Sequence, residues 1–124
     1  MTTRNYNDLQ RLLDLEPGDI SPENTERIIE VAIGLLNLYN AELPPMSGDY
    51  GYKTIELEDS QWSAVVVVSR WVYIDFFEES AGDFSIQGLE VKSKDYLSNP
   101  EKVMQLTDLA ERIRPDDYED IMLV

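Results

Sequence analysis

Carboxylates are the one chemically versatile side chain that this sequence holds in quantity. Adjacent pairs stand at Asp116/Asp117, Glu119/Asp120 and Glu78/Glu79, and closely spaced carboxylate oxygens are what a hard divalent cation prefers. None of the pairs has the ligand spacing of a dedicated calcium loop. With twenty-five acids in 124 residues, neighbours arise by chance, so the pairs are read as solvated surface and no metal site is expected. Histidine and cysteine are both absent. That removes the usual general base, the commonest metal ligand, thiolate nucleophiles, Cys-rich zinc sites and disulfides together. Ser47-Gly48-Asp49 and Gly82-Asp83 are turn sequences, because neither is Gly-rich or followed by Lys as a phosphate cradle would be. The expectation is a protein that is not an enzyme, with no catalytic residue and no cofactor.

Ten basic residues against the twenty-five acids give a net charge of −15. Such a surface repels phosphate backbones and anionic lipid, so direct nucleic-acid or membrane binding is not expected. Two explanations fit the charge. One is a surface adapted to molar salt, where self-repulsion is screened over a few ångströms; the other is a DNA-mimicking inhibitor that binds a basic protein. The acids run through every segment, from Asp8 and Asp14 through Glu42 and Glu78 to Glu111, and only four of the basic residues are Lys. A mimic would gather its acids on one face, so the distribution favours the halophilic explanation, with an ordinary acidic mesophile protein as the plain alternative.

The elements that must carry these side chains are organised around the stretch 59–80 (DSQWSAVVVVSRWVYIDFFEES). Its composition favours a strand, with four consecutive valines and five aromatic residues. Its length favours a helix: some twenty residues pass without Gly, Pro or Asn, whereas strands run to about 5–6 residues. Trp62, Val65, Val66, Ser69, Val72, Tyr73, Phe76 and Phe77 also fall at helical spacing along one wide face. The spacing predicts a helix capped by Asp59 and Ser60 and stopped by Gly82. Trp62 and Trp71, nine positions apart, lie near opposite faces; core for both is the favoured reading, with Trp71 as a candidate subunit anchor the alternative.

The chain is long enough for one core. Asn5 or Asn7 caps a first helix to about Leu15, with Tyr6, Leu9, Leu12 and Leu13 as its stripe. Ser21 and Pro22 open a second, expected to reach about Asn40, with Glu23 and Glu26 near its positive end. Ile28, Ile29, Val31, Ala32, Leu35, Leu36, Leu38 and Tyr39 cover more than half its circumference, which makes it a core helix. Gly34 is read chiefly as a tolerated weak point, with close approach of a neighbour as the alternative. The segment 41–51 (AELPPMSGDYG) is a long loop, and short strands are expected around 52–57 and 84–92. Asn99 and Pro100 open a last helix whose stripe is Val103, Met104, Leu106, Leu109, Ala110 and Ile113, stopped by Pro115.

The domain is thus drawn over 1–115, followed by an acidic and apolar tail over 116–124. The tail's Tyr118, Ile121, Met122, Leu123 and Val124 would ordinarily fray; they are candidate residues for docking on another subunit, together with Met46 and Tyr50 of the long loop, the alternative being that the tail folds back on its own domain. The first residues lack the layout of a secretion signal and the 65–68 valine run is too short to span a bilayer, so a soluble intracellular product is expected.

This order of elements, with an apolar helix announced by Asp59-Ser60-Gln61-Trp62, then Phe84-Ser85-Ile86-Gln87-Gly88-Leu89-Glu90-Val91, then a helix opened by Asn99-Pro100, resembles the small head–tail connector (adaptor) proteins of tailed phages. The likeness runs from about Thr3 to Arg114. It implies a mostly α fold, a four-helix-type bundle with a small β element, assembled as a dodecameric ring beneath the portal protein. Such a ring extends the DNA channel and offers a platform to a tail or second connector protein, and the family has no catalytic residues to carry over. DNA would pass through the channel without specific binding, and the place of action would be the virion, assembled in the host cytoplasm, here of a halophilic host.

Calcium or magnesium, added and then removed by chelation at constant ionic strength, is expected to leave the thermal midpoint unchanged. A metal-dependent rise would restore a carboxylate-and-cation enzyme to consideration.

Overall fold

The computed structural model describes residues 2–13, 20–79 and 94–115, with only the backbone of 76–79. Within them the chain is mostly helical with a small two-stranded antiparallel sheet. The elements run β1 (Thr2–Arg4), α1 (Tyr6–Leu12), α2 (Pro22–Asn37), β2 (Ile55–Leu57), α3 (Asp59–Glu79), a single turn α4 (94–97) and α5 (Pro100–Ile113).

The valine-rich stretch is α3, a helix of 21 residues. Several β-branched residues each cost it a few tenths of a kcal/mol in propensity. Burial outweighs that, at about 1.5–3 kcal/mol for each large apolar side chain removed from water. Trp62, Ala64, Val65, Val68, Ser69 and Val72 are buried, and Val66, Trp71 and Tyr73 pack against the core while partly exposed. Ala64 and Val68 fall outside the stripe expected from spacing. The reason is that α3 packs against α2 and also against α5, so its buried band is wider than one face, and Trp62 and Trp71 both reach apolar neighbours from opposite sides. The cap is also one residue earlier than expected. Glu58 N–H donates to Gln61 Oε1 at 2.8 Å and Glu58 C=O accepts from Trp62 N–H at 2.9 Å, the reach-back half of a capping box. Asp59 is already helical and pairs instead with Arg4 at 2.8 Å. Gly82, the expected stop, lies outside the described residues.

Helix α2 is the hub, touching α1, α3 and α5. Ser21 Oγ accepts from Asn24 N–H at 3.1 Å and Pro22 takes the first helical position, where a missing N–H costs nothing. Ile28, Ile29, Ala32, Ile33, Leu35 and Leu36 are buried, whereas Leu38, expected in the stripe, is exposed. The regular helix ends at Asn37, short of the expected Asn40, in a Schellman arrangement: Asn40 is left-handed at φ 66°, its N–H donates to Asn37 C=O at 3.1 Å, and Ala41 N–H donates to Leu36 C=O at 3.4 Å. The guanidinium of Arg114, one residue past α5, donates to the carbonyls of Tyr39 at 2.8 Å and Asn40 at 3.4 Å. The ends of α2 and α5 are thereby fastened together.

The remaining elements close around this hub. Helix α1 starts in a full capping box between Asn5 and Asp8, and its Gln10 amide donates to Thr25 Oγ1 at 3.0 Å and Ile20 C=O at 3.2 Å. Leu9 is buried but Leu12 is half exposed. Strand β1 was not foreseen, since three residues with no apolar alternation carry no signal. It pairs with β2 with Thr2 opposite Leu57 and Arg4 opposite Ile55, and Arg4 lies 5.6 Å from the Trp62 ring centroid. The strand expected over 52–57 holds only in β2; that expected over 84–92 lies outside the described residues. Helix α5 begins as read, with Asn99 Oδ1 accepting from Glu101 N–H at 3.0 Å and Pro100 first in the helix. It buries Leu106, Ala110 and Ile113, while Met104, counted in its stripe, is 71% exposed. No helix among the described residues is long and apolar enough to cross a membrane.

Gly34 is exposed, and a Cβ built there meets nothing within 4 Å, so no neighbour approaches it. Gly34→Ala is therefore expected to stabilise the protein by about 1 kcal/mol, read as a higher midpoint in chemical denaturation with an unchanged slope.

Candidate functional site

The segment 47–54 is a loop whose shape is fixed from beneath by a buried acid. Glu26, in the second turn of α2, is fully buried. Its Oε1 accepts from Gly51 N–H at 2.5 Å and its Oε2 from Lys53 N–H at 2.8 Å. Burying a lone carboxylate costs several kcal/mol; two charge-assisted hydrogen bonds, about 1.5–3 kcal/mol each, offset it. The ends of the loop are joined by a two-way backbone bridge, with Ser47 and Thr54 each donating to the other at 2.9 Å. Gly48 and Gly51 hold φ of 116° and 94°, values that other residues adopt only with strain. A Cβ at Gly48 would lie 3.2 Å from Tyr52 C=O.

What this fixed loop presents is aromatic and charged. Tyr50 is 47% and Tyr52 85% exposed. Two cations approach the Tyr50 ring, Lys53 Nζ at 4.0 Å and the Arg27 guanidinium carbon at 5.4 Å from its centroid. Lys53 Nζ also pairs with Glu30 at 3.3 Å, its own side chain only 13% exposed. A pair so placed is screened less by salt than one in open solvent. Cation–π contact and ion pair together hold the Tyr50 ring in one orientation. Beside the loop an open groove of about 510 Å³ runs past Glu42, Pro44, Pro45, Glu56 and Gln61. Glu42 is left-handed at φ 56°, an uncommon conformation for a non-glycine residue. Two carboxylates on an open groove suit a basic side chain.

The residues singled out from the sequence are thereby placed. Tyr50 is at the loop surface. Met46 is buried and faces the core. Trp71 is half-buried on α3, edge-to-face with Tyr96 at 6.4 Å and 4.1 Å below Lys102 Nζ, while the Tyr96 hydroxyl donates to Asp75. Tyr50 and Trp71 belong to separate groups of contacts. Tyr118, Ile121, Met122, Leu123 and Val124 lie outside the described residues. Glu26 was missed in its actual role, having been read as a charge near a helix end. The signal was present: Glu26, Ile29, Ile33 and Leu36 fall at i, i+3, i+7 and i+10, so the acid heads a buried row. Among the described residues no three acids converge in a way that could hold a metal ion. Comparison with protein-family models, with curated proteins and with solved structures finds no match.

Replacing Glu26 by Ala leaves two N–H groups without their acceptor. The expected result is a loss of about 2–3 kcal/mol together with faster hydrogen exchange at Gly51 and Lys53. Unchanged exchange at those two amides would show that the carboxylate does not hold the loop.

Proposed function

We propose that this chain is a structural assembly protein, a head–tail connector that forms a homo-oligomeric ring and joins a portal protein to a tail or second connector protein around a DNA channel. In this reading α1, α2, α3 and α5 form a four-helix-type bundle, and the loop 47–54 is the docking element. The observation that carries it is the buried Glu26 carboxylate, which fixes the shape of a loop whose outward content is two tyrosines. Tyrosine gives large contact area for little ordering cost, and a loop fixed before binding loses less entropy when a partner arrives. The groove carboxylates Glu42 and Glu56 and the net charge of −15 make the complementary surface a basic protein face, and keep DNA moving past without adhesion.

A second reading rests on the same carboxylates: an acidic DNA mimic that binds a basic protein as a monomer or dimer. Stoichiometry separates the two. In molar potassium chloride, the protein alone or mixed with a portal ring is expected to form closed rings in electron microscopy and mass photometry. The double variant Tyr50→Ala, Tyr52→Ala is expected to lose the portal complex while keeping its melting midpoint. A monomer under both conditions would overturn the connector reading, and capture of a nuclease or repressor by that monomer would establish the mimic.

A further inference from the structure

The groove beside the loop exists because a β ladder starts there and stops after one rung. Ser47 and Thr54 each donate to the other at 2.9 Å, and two residues further along such a ladder Pro45 would stand opposite Glu56. Proline has no N–H to donate, and no backbone hydrogen bond joins Pro45 to Glu56. Leu43 does not close the gap either, since its N–H and C=O are both committed to the Asn37 side chain, at 2.8 and 3.0 Å. The Pro44-Pro45 wall is thereby held off β2, and the space between is the open groove of about 510 Å³. Strand β2 is left with one covered edge and one open edge. Thr54 spends both backbone groups on Ser47, and successive residues of an antiparallel strand point theirs in opposite directions. Ile55 and Leu57 accordingly aim at Arg4 and Thr2 of β1, and the N–H and C=O of the exposed Glu56 aim into the groove. The open edge ends there, because Glu58 N–H donates to Gln61 and its C=O accepts from Trp62 N–H.

We infer that this groove takes a short, extended, basic segment of a partner protein, added antiparallel to β2 as a third strand. An open strand edge is a template for another chain, whose backbone supplies the missing hydrogen bonds. Charge selects the occupant. Glu42 and Glu56 line the groove and no Lys or Arg does, and neither carboxylate forms an ion pair among the described residues. Strand alternation then gives the order of its side chains. The residue opposite Glu56 projects to the same side of the sheet, where an opposite charge makes a favourable cross-strand pair. Its two neighbours project to the other side, that of Ile55, which with Pro44 and Pro45 makes the apolar part of the lining. The segment is therefore a Lys or Arg between two apolar residues, and Ser47 closes the groove soon after. Both walls are fixed before the segment arrives, which lowers the ordering cost of binding. The inference rests on the reading of this surface as one that binds a basic protein, and not on the ring.

The probe is a capped tetrapeptide, Thr-Val-Lys-Val, added to the full chain in molar potassium chloride and followed by amide NMR. In the free protein the Glu56 amide is expected to exchange faster than those of Ile55 and Leu57. The peptide is expected to slow that exchange and shift the Glu56 proton downfield, leaving Trp71 and Leu109 unmoved. Methylating the backbone nitrogen of the peptide's lysine removes the donor to Glu56 C=O and is expected to weaken binding about tenfold. The double variant Glu42→Gln, Glu56→Gln is expected to weaken it about threefold with an unchanged melting midpoint. Equal binding of the methylated peptide would show a charged patch without strand pairing and overturn the inference, as would no binding at all. A Glu56 amide that becomes protected as protein concentration rises would place a second copy in the groove, and overturns it too. Ring assembly is a separate measurement: a monomer that binds the peptide removes the connector reading and keeps this one, and rings without peptide binding do the reverse.

Discussion

Keeping water away from α2 is the constraint on which the rest of this molecule depends. That helix buries side chains toward α1, α3 and α5 at once, and no single partner could cover it. The three contacts explain otherwise unrelated features. The Gln10 amide spans from α1 to the first turn of α2 because the helix start is covered there. As a helix apolar on more than one side, the valine-rich α3 packs against α2 and α5 at once. Ser69 shows how completely that space is closed: its hydroxyl is buried and makes no hydrogen bond, a polar group accommodated at some cost to stability.

Against this apolar construction, charge is handled locally. The ion pair of Arg4 with Asp59, whose carboxylate side chain is 86% exposed, contributes little in water, as surface pairs do. Arg4 and Lys102 do more through the indole rings they cover, shielding apolar surface that would otherwise face solvent. Lys53 is the exception, largely buried, and it belongs to the loop. Among the described residues, the loop combines a buried carboxylate, two glycines at positive φ and a largely enclosed cation in a shape that the core does not need.

Much of this was legible in the sequence, and what was not has physical causes. Ser21-Pro22 and Asn99-Pro100 announced their helices because caps are local, decided by a few residues and their backbone donors. The choice of helix for 59–79 followed from length, since no turn residue interrupts the stretch. The end of α2, expected near Asn40, was less legible: the Asn37 side chain brackets Leu43, accepting at 2.8 Å and donating at 3.0 Å, a contact that exists only once the chain has turned back. Strand β1 was invisible for a similar reason, because its partner lies more than fifty residues away and its own residues show no pattern. Glu26 was misread although it heads the buried row of Ile29, Ile33 and Leu36: spacing marks the acid as buried, but the loop amides that it serves are twenty-five and twenty-seven positions away.

The clamp of Arg114 on Tyr39 and Asn40 has a consequence for how the chain is made. Those carbonyls close α2, yet the side chain that completes them is seventy-five positions later. During synthesis the first helices emerge while this fastening, and the flank of α3 that α5 covers, are still missing. Until α5 is made, the flank of α3 that it covers stays open, and contacts between neighbouring chains compete with completion. The net negative charge, by keeping such unfinished chains apart, protects the molecule at the stage when its core is least able to protect itself.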